Sequence, residues 1–153
     1  MFRDLRPYSA SGGPANVSGV ARPTLITLTR DECLSLLATA TVGRVGISVD
    51  SLPVVLPVNF ALIDADVVFR TVEGTKFHAA TAKAVVAFEA DSYEPSGESG
   101  WSVVVQGMGE VVSSASEQAR LAALTINPWA VDGADDRFVR VRADRITGRR
   151  FAR

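Results

Sequence analysis

LPVVLPVNFALIDADVVFRTVEGTK, residues 52–76, decides how the chain folds. Two runs rich in Val, Phe, Leu and Ile, 54–63 and 67–71, flank the turn-forming Asp64-Ala65-Asp66, so they read as antiparallel neighbours in a hairpin. Pro57 cannot donate to a ladder, which predicts an edge position or a bulge and an irregular middle for the first strand. Val72-Glu73-Gly74 then leads into a short helix over about 75–82. Arg70 and Thr71 end a strand, Gly74-Thr75 opens the helix, and Lys76 falls in its first turn. A guanidinium fork, two hydroxyls, helix N-terminal amides and an ammonium make a phosphate cradle. Taken alone, a strand-end Arg and a helix-start Lys are more often solvated than liganded.

Outward from this stretch, the pattern stays mostly β. Upstream, Val42–Val49 is a strand and Asp50-Ser51-Leu52-Pro53 a turn. Thr29 and Glu32 form a capping box for a helix over 30–40, with Cys33, Leu34, Leu36, Leu37 and Ala40 as its apolar stripe. Thr24–Leu28 is a short extended lead-in. Residues 9–23 are rich in Gly, Ser, Pro and Ala without a sustained period, so residues 1–23 are expected to be a flexible tail ahead of a single domain, 24–153. Downstream, a strand at 84–90, a polar loop at 91–100 and a long strand from Trp101 to Ser113 follow, with Gly107 and Gly109 marking a bulge or bend. Ser116 caps a helix to about Leu124, Asn127-Pro128-Trp129 ends it, and strands at 137–142 and 144–151 close the chain. Short strands, hairpin-length turns and helices at three places predict a mainly β protein, an antiparallel barrel with peripheral helices.

The 153 residues carry 16 Lys+Arg against 17 Asp+Glu, but the charge is segregated. Residues 1–30 hold four Arg and one Asp; residues 137–153 hold seven Arg and Asp144. Residues 31–136 hold five basic side chains (Arg44, Arg70, Lys76, Lys83, Arg120) against fifteen acidic ones. The C-terminal arginines raise a nucleic-acid reading. In a strand, however, Arg140 and Arg142 share one face and Val139 and Val141 the other, an ordinary amphipathic pattern with a solvated basic edge. No nucleic-acid partner is expected. Apolar runs are all shorter than a membrane span, the start lacks a secretory stretch, and the single Cys33 has no internal partner, so a cytoplasmic protein without membrane attachment is expected.

Several chemistries lack their residues. Gly74-Thr75-Lys76 has neither the upstream Gly nor the adjacent Gly-Lys of a P-loop. Gly97-Glu98-Ser99-Gly100 misplaces a glycine of the nucleophile elbow. One His and one Cys leave a metal site to carboxylates almost alone, and none is expected. His78 reads as a surface or packing histidine before a haem ligand, and Cys33 as a buried structural thiol.

In order and spacing, LP…PVNFAL (52–62), VVFRTVEGTK (67–76), VVAFEAD (85–91), SGWSVVVQG (99–107), NPW (127–129) and RITGRR (145–150) resemble the pyridoxamine 5′-phosphate oxidase-like superfamily of FMN-binding split β-barrels. The nearer likeness is to its small actinobacterial and nitroimidazole-resistance-like members. The resemblance implies a homodimer with FMN at the subunit interface. It has Arg70, Thr71 and Lys76 hold the FMN phosphate with Thr75 and the helix amides assisting, counts Phe69 among the cofactor-binding residues, and lays the Pro57-Val58-Asn59 backbone along the isoalloxazine edge. Trp101 and Ser102 would border the site and Trp129 would approach from the partner; core or interface packing is the other reading for both tryptophans. The ending ITGRRFAR lacks the Trp-, Arg- and His-rich segment of classical members, which argues against pyridoxamine phosphate oxidation. The expected function is an FMN-dependent oxidoreductase acting on a small-molecule substrate, the flavin carrying the chemistry. The alternatives are a reductase using the deazaflavin coenzyme on the same cradle, and a non-enzymatic module that binds flavin or haem.

Overall fold

A computed structural model describes residues 24–71, 83–124, 126 and 137–152. Eight strands alternate with two helices among these residues: β1 (Thr24–Leu28), α1 (Arg30–Leu37), β2 (Val42–Val49), β3 (Leu52–Ile63), β4 (Asp66–Thr71), β5 (Val85–Tyr93), β6 (Ser99–Val111), α2 (Ala115–Ala122), β7 (Arg137–Val141) and β8 (Arg145–Ala152). All pairings are antiparallel, in the order β1-β8-β6-β5-β2-β3-β4-β7, and β7 returns to β6. The six strands from β6 round to β7 therefore close a barrel, with β8 and β1 added to the free edge of β6. The antiparallel barrel with peripheral helices is as the sequence predicts; the tail 1–23 and the helix at 75–82 lie outside the described residues. No helix among the described residues is long and apolar enough to cross a membrane.

The two tight hairpins follow from local chemistry. Asp50-Ser51 and Asp64-Ala65 are two-residue loops between the pairs Val49↔Leu52 and Ile63↔Asp66. All four residues have positive φ, from 50 to 72°. A doubly left-handed turn of this kind matches the right-handed twist of its strands. Ala65 has no side-chain polar group to offset the conformation, so the ladder on either side enforces it.

Two strands change partner along their length, and this closes the barrel. β3 pairs with β2 over Leu52–Asn59 and with β4 over Phe60–Ile63. Pro57 thus sits on the segment whose other edge lies outside any ladder among the described residues, the edge position its missing N–H requires. The expected irregularity is not found: the β2–β3 register runs without a slip through Arg44↔Pro57. Likewise β6 pairs with β8 up to Gln106 and with β7 from Gly109. The bend predicted at Gly107 and Gly109 is this change of partner, not a bulge, since β6 stays in register with β5 throughout. A Cβ on Gly107 would lie 1.8 Å from the Arg142 carbonyl oxygen, so only glycine lets the chain cross there.

Several boundaries differ from the sequence reading. α1 stops at Leu37, not 40, because Thr39 and Ala40 donate to Leu36 and Leu37 in a tightened last turn. The polar stretch 91–100 is mostly strand: β5 runs to Tyr93 and β6 starts at Ser99, with the Tyr93 and Phe151 rings 5.9 Å apart over Gly100. α2 begins after Ser114 rather than Ser116, and neither caps it with a side-chain bond to backbone; the two hydroxyls bond each other at 3.0 Å.

The main core fills the barrel with alternate residues of its strands, among them Val45, Val58, Phe60, Val67, Phe69, Phe88, Val103, Val105, Val139 and Val141. Each such side chain contributes about 1.5–3 kcal/mol on burial. Leu28 and α1, through Cys33 and Leu37, seal one end of it. Outside the barrel, Val68, Val112, Leu121, Ile126 and Phe138 form a second, smaller cluster under α2.

Candidate functional site on the outer face of the barrel

Strand alternation sorts the candidate residues by face. On β3, Val58 and Phe60 are buried in the barrel, so Pro57 and Asn59 face outward. On β4, Val67 and Phe69 point inward and Val68 packs outside under α2. Arg70 therefore faces outward with Val68, while Thr71, 7% exposed, faces the interior at the barrel's end. On β6, Trp101 packs against the main core and Ser102 takes the opposite face. The structure thus brings together Pro57, Asn59 and Arg70 on one outer surface. Asn59 and Arg70 flank the Phe60↔Phe69 pair and reach the same level on adjacent strands. Ser102 shares the face but lies on β6, with β5 and β2 between it and β3. Val58, Phe69, Thr71 and Trp101 point to the other side. Thr75, Lys76, His78 and Trp129 lie outside the described residues.

Arg70 is placed by pairing as well as by face. It stands directly opposite Phe138 on β7, and its Cζ lies 5.7 Å from the ring centroid, within cation–π range. Both line a cleft of about 300 Å³ whose other wall is α2, through Ala115, Gln118, Ala119 and Ala122. That wall is fixed at three points. Leu121 is fully buried beneath it. Gln118 Nε2 donates to the Val112 carbonyl at 2.8 Å. Arg140 Nη2 donates to Glu117 Oε1 of the helix, and Arg140 Nε lies 3.8 Å from Asp66 Oδ2. Asp66 in turn accepts from the Ala143 amide at 3.0 Å.

This corrects the reading of Arg140 as part of a solvated basic edge. Its side chain is 21% exposed and engaged by two carboxylates of 28% exposure. Arg142, beyond the end of β7, is the solvated one, 3.9 Å from both Glu110 and Asp144.

Further round the same outer face, Arg44 on β2 donates to Glu89 at 3.0 Å and Asp91 at 2.8 Å, both on β5. Burial pushes the Glu89 carboxyl above its ordinary range, Asp91 pushes the same way, and Arg44 pulls it back. Trp101 and Asp91 border a separate cleft of about 270 Å³ with Thr39 and Thr41. Cys33 is fully buried, and burial raises its thiol pKa, as a structural thiol requires. Among the described residues no group of three His, Cys, Asp or Glu side chains could hold a metal ion.

Sequence reasoning missed Phe138, Gln118 and the Arg140–Glu117 bond as features of the site. Only the β4–β7 register puts Phe138 opposite Arg70, and the two are 68 positions apart.

A family model for pyridoxamine 5′-phosphate oxidase matches residues 29–150. The chain belongs to the pyridoxamine 5′-phosphate oxidase family. An uncharacterised protein of Mycobacterium tuberculosis is 37% identical over 146 residues, 92% of this chain and 95% of its own. The structure of an FAD-binding protein from Mycobacterium smegmatis is similar at 36% identity, with a TM-score of 0.70, covering 82% of this chain and 99% of that one. A protein of Corynebacterium glutamicum named for pyridoxamine 5′-phosphate oxidase is 31% identical with a TM-score of 0.75, covering 88% of this chain and 97% of its own. Coverage of 82% and 88% of this chain means that most of its fold is shared with these two structures.

Proposed function

We propose that the chain binds a flavin nucleotide across the outer face of β3 and β4 and serves as a flavin-dependent oxidoreductase on a small-molecule substrate. FMN is the simplest ligand of this reading. The observation that carries it is the placement of Arg70 outward, level with Asn59 on the neighbouring strand. Membership of the family and similarity to an FAD-binding protein support it.

The donor set fits a phosphate-bearing flavin. Arg70 offers a planar fork for the phosphate, its guanidinium steadied by the Phe138 ring. Lys76 and Thr75, assigned from sequence, complete the cradle. Asn59 supplies a side-chain amide beside the exposed Pro57. Bound there, a flavin supplies hydride chemistry that no side chain of this chain has to perform. The chain binds, orients and excludes water.

The reading includes a homodimer with the cofactor between subunits. The open outer face supports this: Val55 is 64% exposed and Val85 73%, next to the small Gly46 and Ala87. A second reading, FAD in place of FMN, is favoured by the Mycobacterium smegmatis protein.

The test is the absorbance of the purified protein on titration with FMN. Arg70→Ala should weaken binding about 10- to 100-fold, the value of ~1.5–3 kcal/mol for hydrogen bonds to a charged group. Wild-type protein that binds no flavin would end the proposal.

A further inference from the structure

The ladder between β2 and β5 is short, and the cleft bordered by Trp101 lies where it stops. Its pairs are Arg44↔Glu89, Val45↔Phe88 and Gly46↔Ala87. At Gly43 the strands are still so close that a Cβ would lie 2.8 Å from the Glu89 carbonyl oxygen. One residue further they part. Val42 and Asp91, which a continued ladder would set opposite each other, instead line a gap of about 270 Å³. Thr39 and Thr41 from the turn after α1, with Ser92 and Trp101, add to its lining. The gap opens beside the position proposed for the flavin, because Val42 is paired directly with Asn59.

The chemistry of the gap is one-sided. Arg44 Nη1 donates to both Glu89 Oε2 and Asp91 Oδ1, so one positive charge faces two carboxylates, and neither makes another ion pair among the described residues. Asp91 Oδ2 remains as an acceptor. Thr39 Oγ1 commits its proton to the Leu36 carbonyl at 2.7 Å, so toward the cleft it too can only accept. The raised Glu89 carboxyl, pushed up by burial and by Asp91, reports the same surplus of negative charge. Trp101, packed against the main core, brings an indole to this space. A carboxylate, an acceptor hydroxyl and an indole around a small gap suit a flat organic cation. An anionic ring would instead meet Asp91. The volume, just below the range of drug-sized sites, has room for a single substituted ring and not for a nucleotide.

We propose that this cleft is the substrate site beside the flavin, and that it takes a small flat organic cation, a ring-bearing amine or an N-alkylpyridinium, with Asp91 as ionic partner and Trp101 as stacking surface. Its service to flavin chemistry rests on the reading above, whereas its affinity for a cation does not.

The experiment is a calorimetric titration of the flavin-loaded protein with 1-methylnicotinamide, a flat cation, and with nicotinamide, its neutral counterpart, while the flavin absorbance is followed. Wild type should bind the cation saturably, about tenfold or more tightly than the neutral ring, and the flavin band should shift. Asp91→Asn should lose about tenfold in affinity for the cation and leave nicotinamide unchanged, and Trp101→Leu should weaken the cation about fivefold. Thr41→Leu, at an exposed position, fills the cleft and should abolish binding of both rings, which keeps the test decisive should loss of an Arg44 bond unfold Asp91→Asn. Equal affinity of wild type for the two rings, or a cation affinity unchanged in the variants, overturns the site. Saturable binding of the cation with no change in the flavin band overturns its role as the substrate site. A wild type that binds no flavin overturns the flavin reading, and the same titration of the flavin-free protein then decides separately whether the cleft holds a cation.

Discussion

The two helices are docked on the barrel in different ways. α1 turns Cys33 and Leu37 fully into the main core and is started by a complete capping box, with Thr29 N donating to Glu32 Oε2 at 2.7 Å. It approaches so closely that a Cβ on Gly148 would lie 2.5 Å from Cys33 Sγ. α2 buries only Leu121, lacks a side-chain cap, and is held otherwise by Arg140–Glu117 and Gln118–Val112. Apolar docking excludes solvent and closes a gap; polar docking fixes a helix at points and leaves space between them. The gap left by α2 is the one beside Arg70. The candidate site therefore lies at the helix whose packing is incomplete, in line with the rule that function occupies the less consolidated parts of a fold.

The comparison breaks first under core truncation. Leu37→Ala and Leu121→Ala should each destabilise by about 2–5 kcal/mol, with Leu37 at the upper end, because the barrel core can collapse less than the small cluster under α2. Chemical denaturation checks this; equal losses would mean that α2 is packed as tightly as α1. Next, Arg140→Met should cost about 2–3 kcal/mol and loosen α2, since Glu117 and Asp66 lose their shared partner in a part-buried setting. Hydrogen exchange of the α2 amides should rise while that of α1 does not. Smaller still, Thr29→Ala should cost ~1 kcal/mol and Ser114→Ala almost nothing, because only the first makes a cap bond.

The smallest effect concerns pH. The bonds from Thr29 hold the Glu32 carboxyl below its ordinary value. Its contribution is therefore present above the unfolded carboxylate pKa and lost as pH falls through the folded one. Glu32→Gln should flatten the acid side of the stability profile, measured as Tm against pH. A profile that does not change would remove the ionised capping box from the account of α1.

Much of this molecule could be read locally. The capping box, the Asp50-Ser51 and Asp64-Ala65 hairpins and the edge position of Pro57 all depend on residues within a few positions of one another, where side-chain period and turn chemistry act directly. The strand ends at 91–100 were harder, because polar residues there extend a hairpin whose support comes from Phe151, far along the chain. The site was legible in part. Arg70 stood out as one of five basic residues in an acidic interior, and alternation alone puts it and Thr71 on opposite faces of β4. What the sequence determined by itself is therefore the barrel class, the first helix, the tight turns and the cation offered to an anion. The tertiary structure alone decided that Phe138 lies under Arg70, that Arg140 locks α2 rather than facing water, and that a cleft remains between them. Those are consequences of strand register and ring closure, which join residues dozens of positions apart and leave no period or spacing in the sequence to read.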